Sequence, residues 1–149
     1  EYLEDGAYPI IGANGEIGRC NQLNNNHPVL TTGRVGTIGT IQKVKDAWIT
    51  DNTLIVDNID KSVDYNFLYY TMCTIDFSKI TTGNAQPLIT AGRLKDVEIA
   101  LPPLAEQKKI AKILSEYDEL IQTKRTGLAN IEKSKAQLMN SIFTERERV

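Results

Sequence analysis

From Leu104 to the end of the chain there is no proline, and apolar residues recur at Ile110, Leu114, Tyr117, Ile121, Leu128, Ile131, Leu138 and Ile142. The steps alternate between four and three once Lys124 and Lys135 are counted as polar members of the same seam, so a heptad repeat persists over more than four heptads. This predicts one helix from about Leu104 to Thr144, roughly 60 Å long at about 1.5 Å per residue and longer than a domain of about a hundred residues is wide. Gly127 lies in its middle and two lysines lie on its seam, so the helix is marginal alone: helices owe most of their stability to packing of the apolar stripe. The stripe must be covered, and the expectation is a parallel or antiparallel coiled coil. The partner helix comes from elsewhere in the intact chain or from another copy. Folding of the helix back over its own domain is the alternative, and periodicity does not separate the two.

The start of that helix is abrupt. In "LPPLAEQKKIAKIL", residues 101–114, Pro102 and Pro103 end a segment, "VEIAL", that reads as a last strand. Proline cannot donate to a ladder, yet suits the first turn of a helix. Glu106 and Gln107 stand where they would cap the helix or fix its join to the preceding domain.

Upstream the pattern is different. "YPIIGANG", "PVLTTG", "GTIGTIQKV" and "AWITDNTLIV" are short runs rich in Val, Ile and Thr, broken by Gly, Asn and Asp. They read as strands of a compact, mostly antiparallel β unit. Two turns share the spacing GxxGxxG, at Gly12, Gly15 and Gly18 and again at Gly33, Gly36 and Gly39. The spacing is not the dinucleotide fingerprint and no helical pattern follows either copy, which excludes a Rossmann or P-loop reading. Glycine for turns and bulges accounts for both copies; close approach of backbone to a ligand is the functional alternative. Between Asp64 and Phe77 the period becomes helical, with Phe67, Leu68, Tyr70, Thr71 and Ile75 in a stripe and Ser62 or Asp64 available as the N-cap. A polar loop follows, with Thr81, Thr82, Gly83, Asn84 and Gln86, and then a turn around Gly92 to Leu94. Asn and Gln can pair bidentately with adenine and Thr can meet a thymine methyl, but the same composition suits a solvated turn.

Charge excludes one class of protein. Residues 1–100 hold 8 Lys and Arg against 12 Asp and Glu, and residues 101–149 hold 9 against 7. A protein that grips a duplex alone by phosphate neutralisation carries a strong positive excess. If DNA is the ligand, another subunit supplies much of the grip. No methyltransferase tetrad, Walker loop or cluster of metal ligands occurs, and the single histidine, His27, reads as a loop residue beside Pro28. No catalytic residue, cofactor or metal is therefore expected. Cys20 and Cys73 lack metal-ligand spacing, and no apolar run approaches the roughly 20 residues of a membrane span, so a reduced cytoplasmic chain without membrane association is expected.

The string "VEIALPPLAEQKKIAKILSEYDELI" resembles the segment that closes the target recognition domains of type I restriction-modification specificity subunits. "YPIIGANGEIG", "GTIG" and "TTGNAQPLITAGRLKDVEIALPP" resemble the same family in order and spacing, so the likeness runs over essentially the whole chain. It implies an α+β chain: a β-rich target recognition domain over residues 1–101, followed by one long C-terminal coiled-coil helix over 102–149 that acts as spacer and subunit-docking element. The resemblance further implies recognition of half of a bipartite target in double-stranded DNA. Adenine methylation and restriction would lie in partner methyltransferase and restriction subunits.

Two departures bear on completeness. The family pattern places a further stretch before the "YP" motif, and a full member carries two recognition domains and two helices, against one of each here; the chain also opens at Glu1 rather than methionine. It is expected to be the C-terminal half of a longer subunit, a half-subunit that dimerises, or a fragment. For DNA contact the candidates are Asn14, Arg34, Thr37, Lys43, Lys45, Thr82, Asn84 and Gln86. Arg34 leads them, because an arginine in a glycine-flanked turn can reach guanine or phosphate without obstruction. For helix pairing they are Ile110, Leu114, Tyr117, Ile121, Leu128, Ile131, Leu138 and Ile142. The recognition domain of a fused restriction-methyltransferase and a protein-interaction scaffold that uses the helix alone remain as alternatives.

Overall fold

The computed structural model describes residues 3–83 and 87–146. The chain divides into two compact units, Glu1–Lys109 and Ile110–Val149. The first unit contains two small sheets. β1 (Tyr8–Gly12) pairs antiparallel with β2 (Gly15–Cys20) across the two-residue turn Ala13-Asn14, where Gly15 takes φ +125°. Between Ile10 and Ile11 the register slips from Gly18 to Glu16, so Ile17 is the extra residue of a bulge and is exposed.

The second sheet has β3 (Val29–Gly33) at its centre, antiparallel to both β4 (Gln42–Val44) and β6 (Thr53–Val56). Between them in sequence, β5 (Trp48–Ile49) leaves this sheet and pairs parallel with β1. All five residues of β3 are buried. Alternate side chains point to opposite faces, which is why neighbouring Val29 and Leu30 serve two different cores. Val29 packs with Ile11, Val44, Ala47 and Ile49, while Leu30 packs with Ile41, Met72, Phe77 and Ile89.

α1 (Tyr65–Cys73) covers the second core with Phe67 and Met72 buried. Of the two sequence candidates for its cap, Asp64 takes the role: its Oδ1 accepts from the N–H of Asn66 at 3.0 Å and of Phe67 at 2.9 Å. A 3₁₀ turn (Phe77–Lys79) and the short α2 (Ala91–Lys95), capped by Thr90, follow.

The expected last strand does not form. Residues 97–101 alternate between half-buried and exposed, up to Leu101, yet belong to no ladder. An apolar segment that packs on one side reads like a strand in sequence whether or not a neighbouring strand is present to hydrogen-bond. The helix expected from Leu104 is present as α3 (Leu104–Arg146), 43 residues in one piece. It starts where Pro103 O accepts from the N–H of Glu106 and Gln107.

Candidate nucleic-acid interface

Three segments far apart in sequence meet at one end of the first unit: the turn between β1 and β2, the loop between β3 and β4, and the loop that precedes α2. The joints are mostly backbone to backbone. Gly36 N donates to Pro87 O at 3.0 Å and Ile89 N to Arg34 O at 3.0 Å, while Arg34 N donates to Asn52 O at 2.8 Å. Thr82 and Leu88 exchange both backbone bonds, at 2.9 and 2.8 Å, as an isolated antiparallel pair. On the other side Thr40 Oγ1 donates to Asn14 Oδ1 at 3.2 Å and Gln42 Nε2 to Gly12 O at 3.0 Å.

Glycine makes this convergence possible at two points. A Cβ on Gly33 would overlap Thr37 O and press on Ala13, so only glycine lets the loop turn back against the β1–β2 turn. Gly39 sits at φ +88°, a conformation that L side chains rarely adopt, and its N–H donates to the buried Thr32 Oγ1 at 3.2 Å. Both glycines belong to the second GxxGxxG copy. The turn chemistry read from sequence explains them, with no ligand needed.

The structure thus brings together Asn14, Arg34, Thr37 and Thr82, all exposed. Lys43 and Lys45 are engaged elsewhere, on and just after β4. The Lys43 ammonium lies 4.3 Å from the ring centroid of Tyr69 and 5.2 Å from that of Tyr70, a cation–π contact with α1. Lys45 Nζ lies 3.7 Å from Asp46 Oδ2. Asn84 and Gln86 fall outside the described residues. Exposed Arg93, on α2, is a further neighbour that the sequence does not single out: its Nη1 donates to Ile80 O at 3.4 Å, two residues before Thr82. Its signal was present in "ITAGRLK", where a capping Thr90 places the third residue after it on the first turn of a helix.

The chemistry this surface can perform is hydrogen bonding by Asn, Thr and Arg, with few fixed charges. Among the described residues no group of three or more His, Cys, Asp or Glu stands together as metal ligands would. No helix among them is long and apolar enough to cross a membrane. A separate cleft of about 450 Å3 opens between Leu3, Ile10, Cys20 and Trp48, rimmed by Gln22 and Thr50.

On α3 the seam residues Leu114, Tyr117, Ile121, Leu128, Ile131, Leu138 and Ile142 are 38% to 68% exposed, and Ile110 is half-buried. Ile113, Leu120, Met139 and Phe143, outside the strict seam, are exposed as well.

Residues 1–133 match the family model described as type I restriction modification DNA specificity domain. The chain is similar to the type I restriction enzyme MjaVIII specificity subunit of Methanocaldococcus jannaschii, 38% identical over 145 residues, which cover 95% of this chain and 29% of that protein. It is similar also to the type I restriction enzyme EcoprrI specificity subunit of Escherichia coli, at 23% identity over 91% of this chain and 34% of the relative. The C-terminus of a putative type I specificity subunit from Mycoplasma pneumoniae is 32% identical over 73% of this chain and 74% of its own length. The first two relatives are thus about three times longer than the stretch they share with this chain. Among solved structures, the crystal structure of a type I restriction-modification system S subunit from M. genitalium superposes with a TM-score of 0.68 at 20% identity, covering 82% of this chain and 34% of that one. That likeness supports the fold: small sheets followed by a long helix.

Proposed function

Since the chain belongs to the family of type I restriction modification DNA specificity domains, we propose that it reads one half of a bipartite DNA target and carries no catalysis of its own. The observation that supports this reading most directly is the extent of the family match, residues 1–133, which takes in both the sheet unit and most of α3. In this reading the surface built from Asn14, Arg34, Thr37 and Thr82, with Arg93 beside it, faces base edges. Arginine can meet guanine and asparagine adenine in the major groove, while threonine can approach a thymine methyl. The net charge of −2 fits a subunit that holds DNA only as part of an assembly.

The helix is the second working part. Its exposed seam pairs with another helix, from a second copy or from the same longer polypeptide, and the pair acts as a spacer between two half-sites. Residues 1–101 and 102–149 then correspond to recognition and spacing. Methyltransferase and restriction subunits dock on the assembly and supply adenine methylation and cleavage. The protein works in the cytoplasm.

The test is to express the intact subunit with its modification subunit in a host without other adenine methylation, and to map methylated adenines by long-read sequencing. A bipartite motif is expected. A palindromic motif means two identical chains paired, and an asymmetric one means two different recognition domains in one polypeptide. No methylation from a copurifying complex with an active modification subunit would overturn the reading in favour of an interaction scaffold.

A further inference from the structure

Gln107 is 1% exposed, as thoroughly buried as the core leucine Leu30. A primary amide offers two N–H donors and one carbonyl acceptor, and here each is used. Oε1 accepts from Asp64 N at 2.8 Å; Nε2 donates to Ser62 O at 3.0 Å and to Pro102 O at 2.8 Å. The partners are themselves fixed. Asp64 caps α1 with its side chain while Gln107 holds its N–H, and Asp60 Oδ1 accepts from both the N–H and the hydroxyl of Ser62. One side chain therefore keys the first turn of α3 to the N-cap of α1, to the segment just before it and to the Pro102 carbonyl. Among side chains of this reach none but glutamine offers both an acceptor and two donors: a glutamate would set a carboxylate oxygen against the Ser62 and Pro102 carbonyls, and a lysine would offer nothing to the Asp64 N–H.

We propose that Gln107 is the positioning residue of the joint at the root of α3, and that this joint determines how strictly the distance between two half-sites is kept. The inference rests on the specificity reading given above. Its magnitude follows from the length of the helix. A slack of about 5° at the root of a rod about 60 Å long moves the far end by about 5 Å, more than the rise of about 3.4 Å between successive base pairs. A helix root held by three convergent hydrogen bonds keeps one spacing, whereas a root held by apolar contact alone tolerates neighbouring ones.

The experiment uses the intact subunit with its modification subunit and the methylation map. Gln107→Met keeps the volume and removes all three hydrogen bonds. The half-site sequences are expected to stay unchanged, while methylation of sites whose spacer is one base pair shorter or longer rises about tenfold, the scale set by losing hydrogen bonds to buried partners. Asp64→Ala is the control for stability alone: it weakens the α1 cap but leaves the backbone N–H that Gln107 holds, and its spacing is expected to stay strict. Should Gln107→Met lower the yield of folded chain, Gln107→Glu carries the same test, because it keeps an acceptor for Asp64 and spoils the other two bonds. A single unchanged spacer length in the assembled Gln107 variants, or equal loosening in Asp64→Ala, overturns the proposal. Absence of any bipartite motif already in the wild type sinks the specificity reading itself and this inference with it, so the two failures are told apart by which protein shows them.

Discussion

β3 and α3 carry the same kind of side chain to opposite ends. Val29 and Leu30 on β3 are 0% exposed, whereas eleven large apolar residues among the described part of α3 stand at 38% to 68%. A Leu or Ile side chain contributes roughly 1.5–3 kcal/mol when fully buried. The strand has realised that free energy inside its own unit, while the helix side chains would gain most of it only on pairing. Apolar residues at a regular period thus mean two different things. In the sheet unit they describe a core the chain already has, and on the helix they describe an exposed stripe, which the proposed reading assigns to pairing.

The contrast can be attacked from both sides. The largest effect is expected from charging the helix seam. Ile121→Asp with Leu128→Asp should abolish helix pairing, because burying unpaired carboxylates is strongly unfavourable, and sedimentation of the double variant that matched the wild-type assembly would remove the coiled coil from consideration. Next comes the core: Leu30→Ala should cost about 2–5 kcal/mol in urea unfolding, whereas Ile131→Ala, at a residue 68% exposed, should change the stability of the unpaired chain by no more than about 0.5 kcal/mol. Equal losses in the two variants would erase the distinction.

Smaller effects sharpen it. Arg34→Ala should weaken specific DNA binding by about 1–3 kcal/mol if Arg34 reads a base, with thermal stability unchanged because the loop is held through the Arg34 backbone; unaltered affinity and methylation would take it off the surface. Thr31 is fully buried and its Oγ1 has no hydrogen-bond partner among the described residues. Thr31→Val, which removes that oxygen at nearly constant shape, should leave stability equal or raise it by up to about 1 kcal/mol, and a marked loss would mean that the hydroxyl has a partner. The smallest effect concerns acid. Hydrogen bonding from Ser78, followed by Lys79, holds the Asp76 carboxyl below its usual 3.8. A depressed folded-state value stabilises the fold above the unfolded value and is lost as pH falls through the folded one. Asp76→Asn should therefore flatten the stability curve slightly below about pH 4, and an NMR titration of Asp76 with its midpoint at or above 3.8 would contradict this.

Much of this organisation was legible in the residues. The heptad and the two prolines place α3 within the first residues of its observed start, and capping chemistry narrows the cap of α1 to Ser62 or Asp64, of which the structure uses Asp64. The failure at residues 97–101 is instructive, because one-sided packing produces the same alternation as a paired strand. The candidate surface was half legible. Composition picked out the glycine-rich and threonine-rich loops one by one, but that Arg34 and Thr82 belong to the same surface depends on hydrogen bonds from Gly36 to Pro87 and from Ile89 to Arg34, about fifty residues apart in sequence, which leave no local trace. Lys43, a candidate for DNA contact, also lies over Tyr69 and Tyr70, a contact that a lysine on a strand does not reveal in sequence. Gln107 was singled out as a fixing residue from its place at the helix start, though its partners at Ser62 and Asp64 could not be.

The loops of the candidate surface are sewn to one another mainly through main-chain N–H and C=O groups, at Arg34, Gly36, Thr82, Pro87, Leu88 and Ile89. Main-chain bonds are indifferent to what the side chain is. A lineage that exchanges the residues at 34, 37 or 82 keeps the stitching, so if this surface reads DNA as proposed, a new target sequence can be acquired by drift at the surface without a matching repair of the scaffold. Only the glycines are denied that freedom, Gly33 above all, where any side chain would close the gap through which the loop returns.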